Sequence, residues 1–501
     1  MFDALTEGLQ LFDAWTILWL IAGLLLGAVF GVLPGLGSVA GMSVVLPLTY
    51  GMSPIAAFAL LCGIYVGSVW GGSVTAIMLR IPGDAGSIAT IFDGYELTRQ
   101  GRSRFALGIS ISASVIGGIL GSIALVLLLP VFGAIATNID AAAYFWIIVI
   151  ALVFVAQTVK GNVRRGLISA TLGLMLGTVG IDPIVSQTRY TFDQGYLFGG
   201  IPLIPLVLGL FGIAHMLQLA QRRSATGAGR VASAAGDRIR DGLIVPLKHW
   251  VYTTRATLIG IFSGAVPGLG ASSGNLIAYT DAERKAGASG RFGHGDPRGL
   301  IAPEASNNAT VSPSMVPTLS LGVPGTVSAA VFMGALVLHG LQPGRELVRD
   351  HADSLVAIVV LLVLGNIVLL PTALASAGSL ARINQVPTRI LVPAIIVLLT
   401  FGAFASRQLT TDVAVMIIVG VIAYFMERFG FPGVPLLIAF ILGPILEVNL
   451  RRALVAGDGS VLSLAPSPVH WLLILALVAL IGGIIYRSAR RPRTSQKELA
   501  Q

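Results

Sequence analysis

Residues that could bind an anion occur at two places in the chain where a proline precedes a glycine. Residues 27–41 (GAVFGVLPGLGSVAG) and 260–274 (GIFSGAVPGLGASSG) share seven identical positions at a constant offset of 233 residues. Proline within an apolar helical pattern interrupts the helix, and the following helix begins with backbone amides that have no partner. Free amides of this kind, with serine hydroxyls beside them, are suited to an anion.

Two further proline-glycine breaks follow the first pair. Ile81-Pro82-Gly83 returns as Val323-Pro324-Gly325 at an offset of 242, and the Leu-Leu-Pro ending at Pro130 returns ending at Pro371 at an offset of 241. Three landmarks in the same order indicate an internal duplication. We expect the anion to be bound at the four breaks, by Pro34, Gly35, Gly37, Ser38, Pro82, Gly83, Gly268, Gly270, Ser272, Ser273, Pro324, Gly325 and Thr326.

A second polar group begins the uncharged run 305–344. Asparagine is costly in lipid unless it is hydrogen-bonded, and amide and hydroxyl oxygens can hold Na⁺. The candidate cation ligands are Asn275, Ser306, Asn307 and Asn308. Hydrogen bonding between helices is the simpler alternative for these asparagines. For Glu304, capping of a helix near the surface and a role with the coupling ion both remain open.

The remaining polar and small residues near the breaks also have structural alternatives. Arg80 and Asp84 flank the first Ile-Pro-Gly unit, where they could bind a carboxylate substrate or form a boundary salt bridge. The tandem GxxxG spacings of the outer glycines are typical of close helix packing in lipid. Replacing the outer Gly27 or Gly260 by alanine is therefore expected to affect transport less than a bulky residue at Gly35 or Gly268. The GxGxxxG spacing does not match a dinucleotide site.

Composition places these breaks in a membrane protein. Hydrophobic residues make up 55% of the chain, charged residues 11%, and residues 14–79 contain no Asp, Glu, Lys or Arg. As helix, that uncharged run would be roughly 100 Å long against a hydrocarbon core of about 30 Å. The net charge of +9 lies in loops between apolar segments, which indicates positive-inside topology and not nucleic-acid binding. Cys62, the one cysteine, is expected to be a buried thiol.

The distribution of basic loops predicts the topology. The basic segment 222–255 is expected to be a flexible cytoplasmic linker, with the N-terminus outside and the C-terminus inside. Because no basic segment precedes the first apolar stretch, that stretch is expected to remain in the mature protein. Predicted spans include 105–133, 141–159, 166–181, 196–220, 354–375, 390–406, 411–427, 433–447 and 467–486.

With this alternation the two copies have opposite orientations, which is an inverted repeat. Residues 256–280 are too short on each side of Pro267-Gly268 to span, so we predict a re-entrant hairpin there and a twin at 14–50. The predicted fold is an all-α polytopic membrane protein with discontinuous helices and about 11 full spans. Its parts are a first repeat (1–221), the linker (222–255), a second repeat (256–460) and a C-terminal helix with tail (461–501).

Several long motifs resemble one transporter family. These are PGLG in both copies, GIYVGSVWGGSVTAIMLRIPGDAGSIATIFDGYELTRQG, YTDAER, APEASNNA and LGVPGTVSAAVFMGALVLHGLQPG. They are similar to the large membrane subunit of the tripartite tricarboxylate transporters over about residues 14–486. The resemblance implies a permease of the bacterial inner membrane that works with a small four-helix membrane subunit and a periplasmic solute-binding protein. It also implies uptake of an organic carboxylate by cation symport, with Na⁺ or H⁺ as coupling ion and no other cofactor or metal.

Two other classes of protein are weighed against this interpretation. A self-sufficient carboxylate symporter without a binding protein would show the same repeat. A membrane enzyme would need a nucleophile with a base or a metal-ligand set, and the histidines in apolar runs, His215 and His339, have no ligand at metal-motif spacing. The chain is therefore expected not to be an enzyme. It contains no GxxxxGK[ST] motif, so the energy must come from an ion gradient or another subunit.

Overall fold

The structure is a computed structural model that describes residues 8, 10, 12–33, 36–157, 163–182, 184–221, 234, 236–267, 269–383 and 388–490. Nearly all of these residues are helical. In the first half, the helices are α1 (Ala14–Val32), α2 (Gly37–Val45), α3 (Pro54–Leu79), α4 (Thr90–Arg99), α5 (Ser103–Asn138), α6 (Ala141–Gln157), α7 (Val163–Gly177) and α8 (Leu203–Gln221). A two-stranded antiparallel sheet, β1 (Gly180–Ile181) and β2 (Thr188–Arg189), lies between α7 and α8.

The second half repeats this alternation of long and short helices. Its helices are α9 (Ile239–Leu243), α10 (Val245–Lys248), α11 (Trp250–Ala265), α12 (Gly270–Ala286), α13 (Pro297–Val311), α14 (Met315–Leu321), α15 (Val327–Leu338), α16 (Arg345–Asp350), α17 (Ala352–Ile383), α18 (Thr388–Arg407), α19 (Thr410–Arg428), α20 (Gly433–Ala456) and α21 (Pro468–Arg490). Short 3₁₀ segments cover Leu46–Gly51, Ala85–Ser87, Gly195–Leu197, Gly287–Ser289 and Val461–Leu464.

The helices agree closely with the segments predicted to span a membrane. Among the described residues, eight helices are long and apolar enough to cross, and three more apolar helices are shorter. The chain is thus a multi-pass membrane protein, while the total of about 11 spans and the orientation stay predictions. Cys62 is fully buried, as predicted.

The helix breaks occur at the predicted places. Helix α3 ends at Leu79 and α4 begins at Thr90, so the first Ile-Pro-Gly unit lies in an irregular link; the second lies between α14 and α15. Helices α11 and α12 form a hairpin whose outer ends are joined by an ion pair of 2.7 Å between Arg255 and Asp281. Its arms are longer than the uncharged run 256–280 because both helices continue into charged residues. In the 14–50 segment, α1 is by itself long enough to span.

Glycines bring α1 and α3 into backbone contact. A Cβ on any of these glycines would overlap a carbonyl oxygen of the facing helix. The glycines are Gly23, Gly27 and Gly31 of α1 and Gly63 and Gly67 of α3. Close packing, the alternative weighed for the outer glycines, is therefore confirmed. The facing glycines of α3 were not predicted, although GIYVG repeats the same four-residue spacing.

The same contacts occur once in each half of the chain. In the first half Gly27, Gly31 and Gly83 pack on the carbonyl oxygens of Ile64, Ser68 and Gly31; in the second half Gly260, Gly264 and Gly325 pack on those of Ser306, Thr310 and Gly264. Each contact in the second half is made by the residue 233 or 242 positions after its counterpart. The caps agree as well, because Arg80 and Gly322 end their helices in the left-handed conformation, with φ of 61° and 62°.

The chain divides into two compact units. One consists of residues 1–138 and 201–433, and the other of residues 139–200 and 434–501. The first unit contains all four breaks. Within it, α9 of the predicted linker packs on α5, since Cβ atoms on Gly108 and Gly242 would each overlap a carbonyl oxygen of the other segment. Residues 222–233 and 235 of that linker lie outside the described residues.

In the smaller unit, charged residues of two segments form one network. Arg189 of β2 pairs with Glu447 of α20 at 2.7 Å, and Arg451 pairs with Asp182 at 3.0 Å. Asp182 also accepts hydrogen bonds from the backbone amides of Ile184 and Val185. The end of α20 and the loop around the sheet therefore lie at the same end of this unit.

Candidate functional site

Residues from three helix breaks, together with one tyrosine from the middle of α3, meet in the larger unit. We call them the break cluster: Gly37, Ser38, Tyr65, Asp84, Thr326 and Ser328. The hydroxyl oxygens of Ser38 and Ser328 are 2.6 Å apart, although 290 residues separate them in the chain. One carboxylate oxygen of Asp84 lies 3.5 Å from the Ser38 hydroxyl. The start of α2 thus contacts the break of each half.

Backbone geometry at the start of α2 requires a glycine beside Asp84. Gly37 has a φ of 52°, which is in the left-handed region, and a Cβ there would lie 2.7 Å from the Asp84 carboxylate. The other carboxylate oxygen of Asp84 accepts a hydrogen bond of 2.9 Å from the Gly86 amide. Asp84 therefore caps the segment after the first break and also faces Ser38.

Tyr65 of α3 contacts the residues beside the Pro324-Gly325 break. Its hydroxyl lies 2.8 Å from the Thr326 hydroxyl and 3.1 Å from that of Ser314. Thr326 caps α15 by accepting from the Ala329 amide at 3.1 Å. Hydroxyl groups, each able to donate and accept, are thereby concentrated where the chain leaves helical geometry.

The glycines of the two Pro-Gly units have a packing role. A Cβ on Gly83 would overlap the Gly31 carbonyl oxygen, and one on Gly325 would lie 2.9 Å from that of Gly264. The amide of Gly325 donates to the Thr318 hydroxyl at 3.2 Å. These contacts fix the links that contain Pro82 and Pro324, and they hold the break cluster in place.

The α11–α12 hairpin contributes fewer of the predicted anion-binding residues than the first half of the chain does. Gly270 begins α12 with a φ of 63°, and its neighbours Ser272 and Ser273 have no side-chain hydrogen bond with any described residue; Ser273 is exposed. No contact in the described structure joins these serines to Ser38. Pro34, Gly35 and Gly268 lie outside the described residues.

The four candidate cation ligands face different neighbours. Asn275 donates to the carbonyl oxygen of Gly86, and the Asn307 amide also packs against Gly86. Ser306 instead packs toward the α11–α12 hairpin, where a Cβ on Gly274 would be 3.5 Å from its hydroxyl. The amides of Asn307 and Asn308 and the hydroxyl of Ser306 are buried without a hydrogen-bond partner in the described structure. Buried polar groups normally have partners, so this group is suited to a bound ligand.

Glu304 is fully buried within α13, and the proposal that it only caps a helix is wrong. The cap of α13 is Asp296, whose side chain accepts from the Arg298 amide. The Glu304 carboxylate accepts hydrogen bonds from Thr90 of α4 at 2.5 Å and from Ser110 of α5 at 2.6 Å. A third comes from Ser114 at 3.2 Å.

Arg80 and Asp84 do not form the boundary salt bridge that was weighed. Among the described residues, the guanidinium of Arg80 lies over the Tyr95 ring, with 5.8 Å from its Cζ to the ring centroid, and makes no ion pair. Sequence reasoning kept Asp84 only as a partner of Arg80 and missed Tyr65 and Ser328. The sequence did contain a signal for Tyr65. The Pro-Gly units repeat at an offset of 242 residues, and at that offset Tyr65 corresponds to Asn307, which was already a candidate ligand.

Next to α4, Asp93 connects three segments. It accepts hydrogen bonds from the Tyr279 hydroxyl at 2.9 Å and from the backbone amides of Gly295 and Asp296, each at 2.8 Å. Burial raises the pKa of Asp93, while these donors oppose the rise. The hydrogen bonds fix α4, and with it Thr90, relative to α12 and α13.

Comparison with known proteins identifies a transporter family. The family model described as "Tripartite tricarboxylate transporter TctA family" matches residues 17–438. A 52.8 kDa protein of Agrobacterium vitis, described as uncharacterized and from the TAR-I ttuC' 3' region, is 32% identical over 483 residues, covering 95% of this chain and 94% of its own. A second protein of that organism, from the TAR-II ttuC' 3' region, is 31% identical over 223 residues, 44% of this chain and 92% of its own. No solved structure matches.

The family match covers all four breaks, the break cluster and the buried asparagines. It extends over most of the chain, and the first relative is similar along nearly its whole length. The sequence-based recognition of the family is therefore confirmed. This chain belongs to the tripartite tricarboxylate transporter TctA family, and it is a membrane subunit of a transporter that has other subunits.

Proposed function

We propose that this chain is the permease subunit of a binding-protein-dependent transporter that imports an organic carboxylate across the bacterial inner membrane by cation symport. The break cluster is the observation that carries the proposal. It places hydroxyl groups and helix starts from both halves at one buried position, which is how discontinuous helices form a substrate site in repeat transporters. Amides and hydroxyls can hold a carboxylate without a buried unpaired cation.

Charge supports the cation symport. Asp84 lies in the break cluster and Glu304 is buried nearby in α13, and neither forms an ion pair with a basic residue in the described structure. An anionic substrate beside two uncompensated carboxylates would be repelled. A cation that enters with the substrate removes this repulsion, and Na⁺ suits the oxygen ligands present.

An inverted repeat supports alternating access, and the contacts between loops favour it. Segments predicted on the cytoplasmic side meet, as in the hydrogen bond of 2.7 Å from the Arg104 amide to Asp237. Segments predicted outside also meet, since His339 lies 3.2 Å from Thr49. We propose that the larger unit contains opposed broken segments and that transport moves the broken helices against the long helices α5 and α17.

Cysteine labelling tests the orientation. Cys62 is buried, so single exposed cysteines can be introduced without a strong native signal. Tyr50→Cys should react from the periplasmic side only, and Arg284→Cys from the cytoplasmic side only. Reaction of both from one side would contradict the inverted repeat.

Uptake of a labelled carboxylate tests the function. The substrate is first identified by ligand binding to the cognate solute-binding protein, and uptake is then measured in cells that express all three subunits. Ser38→Ala with Ser328→Ala should reduce uptake about tenfold or more, because both hydroxyls are lost from the break cluster. The exposed pair Ser53→Ala with Ser379→Ala is the control.

The outcomes separate the two transporter hypotheses. Uptake that stops without the binding protein supports the tripartite system, whereas uptake that continues favours a self-sufficient symporter. Unchanged uptake in the Ser38 and Ser328 double variant, with unchanged expression, would place the substrate elsewhere.

A further inference from the structure

Glu304 has an environment suited to a cation that the chain itself does not supply. Its side chain is completely buried, and no Lys, Arg or His of the described residues forms an ion pair with it. Three hydroxyl groups, those of Thr90, Ser110 and Ser114, point at the carboxylate at 2.5, 2.6 and 3.2 Å. A buried carboxylate with only neutral donors is unfavourable unless its charge is compensated.

Asn308 adds a neutral oxygen to this position. Residues four apart in a helix are neighbours on the same face, so Asn308 follows Glu304 along the surface of α13. It is fully buried, and neither its amide oxygen nor its amide nitrogen has a hydrogen-bond partner in the described structure. An unpartnered amide oxygen beside a carboxylate is a typical ligand pair for a hard cation.

We propose that Glu304 and Asn308, with the hydroxyls of Thr90, Ser110 and Ser114, form a site for one Na⁺ ion. One carboxylate compensates one positive charge, which favours a monovalent ion. The hydroxyl and amide oxygens are hard ligands, as Na⁺ requires. This inference rests on the proposed function, because it locates the coupling ion of that symport.

The site is separate from the asparagines at Gly86. Asn275 of α12 and Asn307 of α13 both contact the Gly86 turn, next to the break cluster. The predicted set of four cation ligands is thereby divided, with Asn308 at the ion and Asn307 toward the substrate.

Thr90 connects the ion site to the substrate site. It is the first residue of α4, directly after the link that contains Asp84 and Gly86. An ion bound at Glu304 would hold Thr90 and so stabilise one arrangement of this link. A ligand that prefers one of two conformations shifts the population toward it, which is how the ion would favour substrate binding.

Direct binding of ²²Na⁺ to the purified transporter complex tests the site. The assay contains no carboxylate, and choline keeps the ionic strength constant. We expect saturable binding in the natural protein, no detectable binding in Glu304→Gln, and about tenfold weaker binding in Asn308→Ala. The exposed residues Glu283 and Asn138 provide matched controls, because Glu283→Gln and Asn138→Ala should bind Na⁺ normally.

Folding of the variants is checked by melting temperature and by association with the partner subunits. Glutamine has the shape of glutamate without its charge, so Glu304→Gln should remain folded. If it does not, Asn308→Ala and Ser110→Ala provide the same test. Added Na⁺ should raise the melting temperature of the natural protein but not that of Glu304→Gln, whereas K⁺ should not raise either.

Four results would overturn the Na⁺ site at Glu304. They are normal ²²Na⁺ binding in Glu304→Gln, loss of binding only in Asn307→Ala, no Na⁺ binding by the natural protein, and equal binding of K⁺. Uptake that depends on pH and not on Na⁺ would identify a proton as the coupling ion. If Na⁺ binds as expected but no carboxylate is transported, the ion site stands and the proposed function fails.

Discussion

Asp84 and Thr326 occupy equivalent positions 242 residues apart, and each caps the segment that follows a Pro-Gly break. Their backbones are both extended, with φ and ψ of −128° and 158° for Asp84 and −139° and 169° for Thr326. Each side chain accepts a hydrogen bond from a backbone amide of the next turn. The two caps differ in charge, so the two halves present different chemistry at equivalent places.

The residues that meet these caps are also equivalent. Tyr65 contacts Thr326, and Asn307, 242 residues after Tyr65, packs against Gly86 beside Asp84. Each half thus contributes one polar residue to the break of the other half. The proposed substrate site would therefore depend on both halves of the chain, including the phenol hydroxyl of Tyr65.

Tyr65→Phe is expected to raise the KM for carboxylate uptake about tenfold. The substitution removes the hydroxyl that contacts Thr326 and Ser314 and keeps the ring that packs in the core. Kinetics of uptake at saturating ion concentration give the KM. Tyr50→Phe, at a position that is 59% exposed, should leave the KM unchanged. An unchanged KM in Tyr65→Phe would exclude its hydroxyl from the substrate site.

Gly27→Ala and Gly260→Ala are expected to destabilise the protein by about 1–3 kcal/mol each. The added Cβ would overlap the carbonyl oxygens of Ile64 and Ser306, which are backbone atoms that cannot rotate away. Melting temperatures in detergent measure the effect. The sequence-based expectation compared these outer glycines with Gly35 and Gly268 in their effect on transport, and it stays a prediction.

Gly378→Ala is the control for these variants. Gly378 lies within α17, and a Cβ there meets nothing within 4 Å. Alanine is favoured over glycine in a helix by about 1 kcal/mol, so this variant should be as stable as the natural protein or more so. Equal melting temperatures for all three variants would contradict the packing of α1 on α3 and of α11 on α13.

The positions of the helix breaks could be predicted because their causes are local. Proline removes a hydrogen-bond donor wherever it stands, and an apolar run of known length either spans a bilayer or does not. The links at Pro82 and Pro324 and the ends of α11 and α12 followed from these rules. The glycine contacts were predicted for α1 and α11 but not for the helices that they pack on, α3 and α13. Glycine spacing shows which side of a helix packs closely, but it does not show which helix lies opposite.

The pairing of distant residues could not be predicted from one sequence. Tyr65 and Thr326 are 261 residues apart, and only the packing of both halves brings them together. Likewise, Glu304 was expected near the surface or at an ion, and its three hydroxyl partners come from α4 and α5. The packing of residues 139–200 with 434–501 is equally non-local. The predicted flexible stretch is the Ser-, Ala- and Gly-rich middle of the linker, and its composition gave no sign that α9, which follows it, packs on α5 through Gly242.

The loop around the small sheet is expected to lose its structure in acid. The amides of Ile184 and Val185, and then the guanidinium of Arg451, lower the pKa of Asp182. Because the pKa of the folded state lies below that of the unfolded chain, the stabilisation is complete above about pH 4 and is lost as the pH falls through the folded value. Hydrogen exchange of residues 181–189, corrected for the intrinsic effect of pH, should therefore show protection that ends below about pH 4.

Asp182→Asn is the control for this pH dependence. Its amide oxygen can still accept from the amides of Ile184 and Val185, but it carries no charge to pair with Arg451. Protection in this variant should be weaker at neutral pH and should change less than in the natural protein between about pH 6 and pH 3, where Glu447 still titrates. If the natural loop is equally protected over that range, the ion pair with Arg451 does not stabilise it.

Gly83→Ala and Gly86→Ala are expected to affect different properties, although the two glycines are only three residues apart: the first should impair folding and the second should weaken transport. A Cβ on Gly83 would overlap the Gly31 carbonyl oxygen and lie 2.7 Å from the Gly72 Cα, so folding should be impaired. The three atoms nearest to a Cβ on Gly86 all belong to the side-chain amide of Asn307, which can rotate. Gly86→Ala should therefore keep its melting temperature and raise the KM for the carboxylate.

A double-mutant cycle identifies the contact responsible. In an Asn307→Ala background the space beside Gly86 is open, so Gly86→Ala should have no further effect on the KM. The double variant should then behave like Asn307→Ala alone. If the two effects instead add, Gly86 acts through its own backbone, and Asn307 is not the group that connects α13 to the break at Asp84.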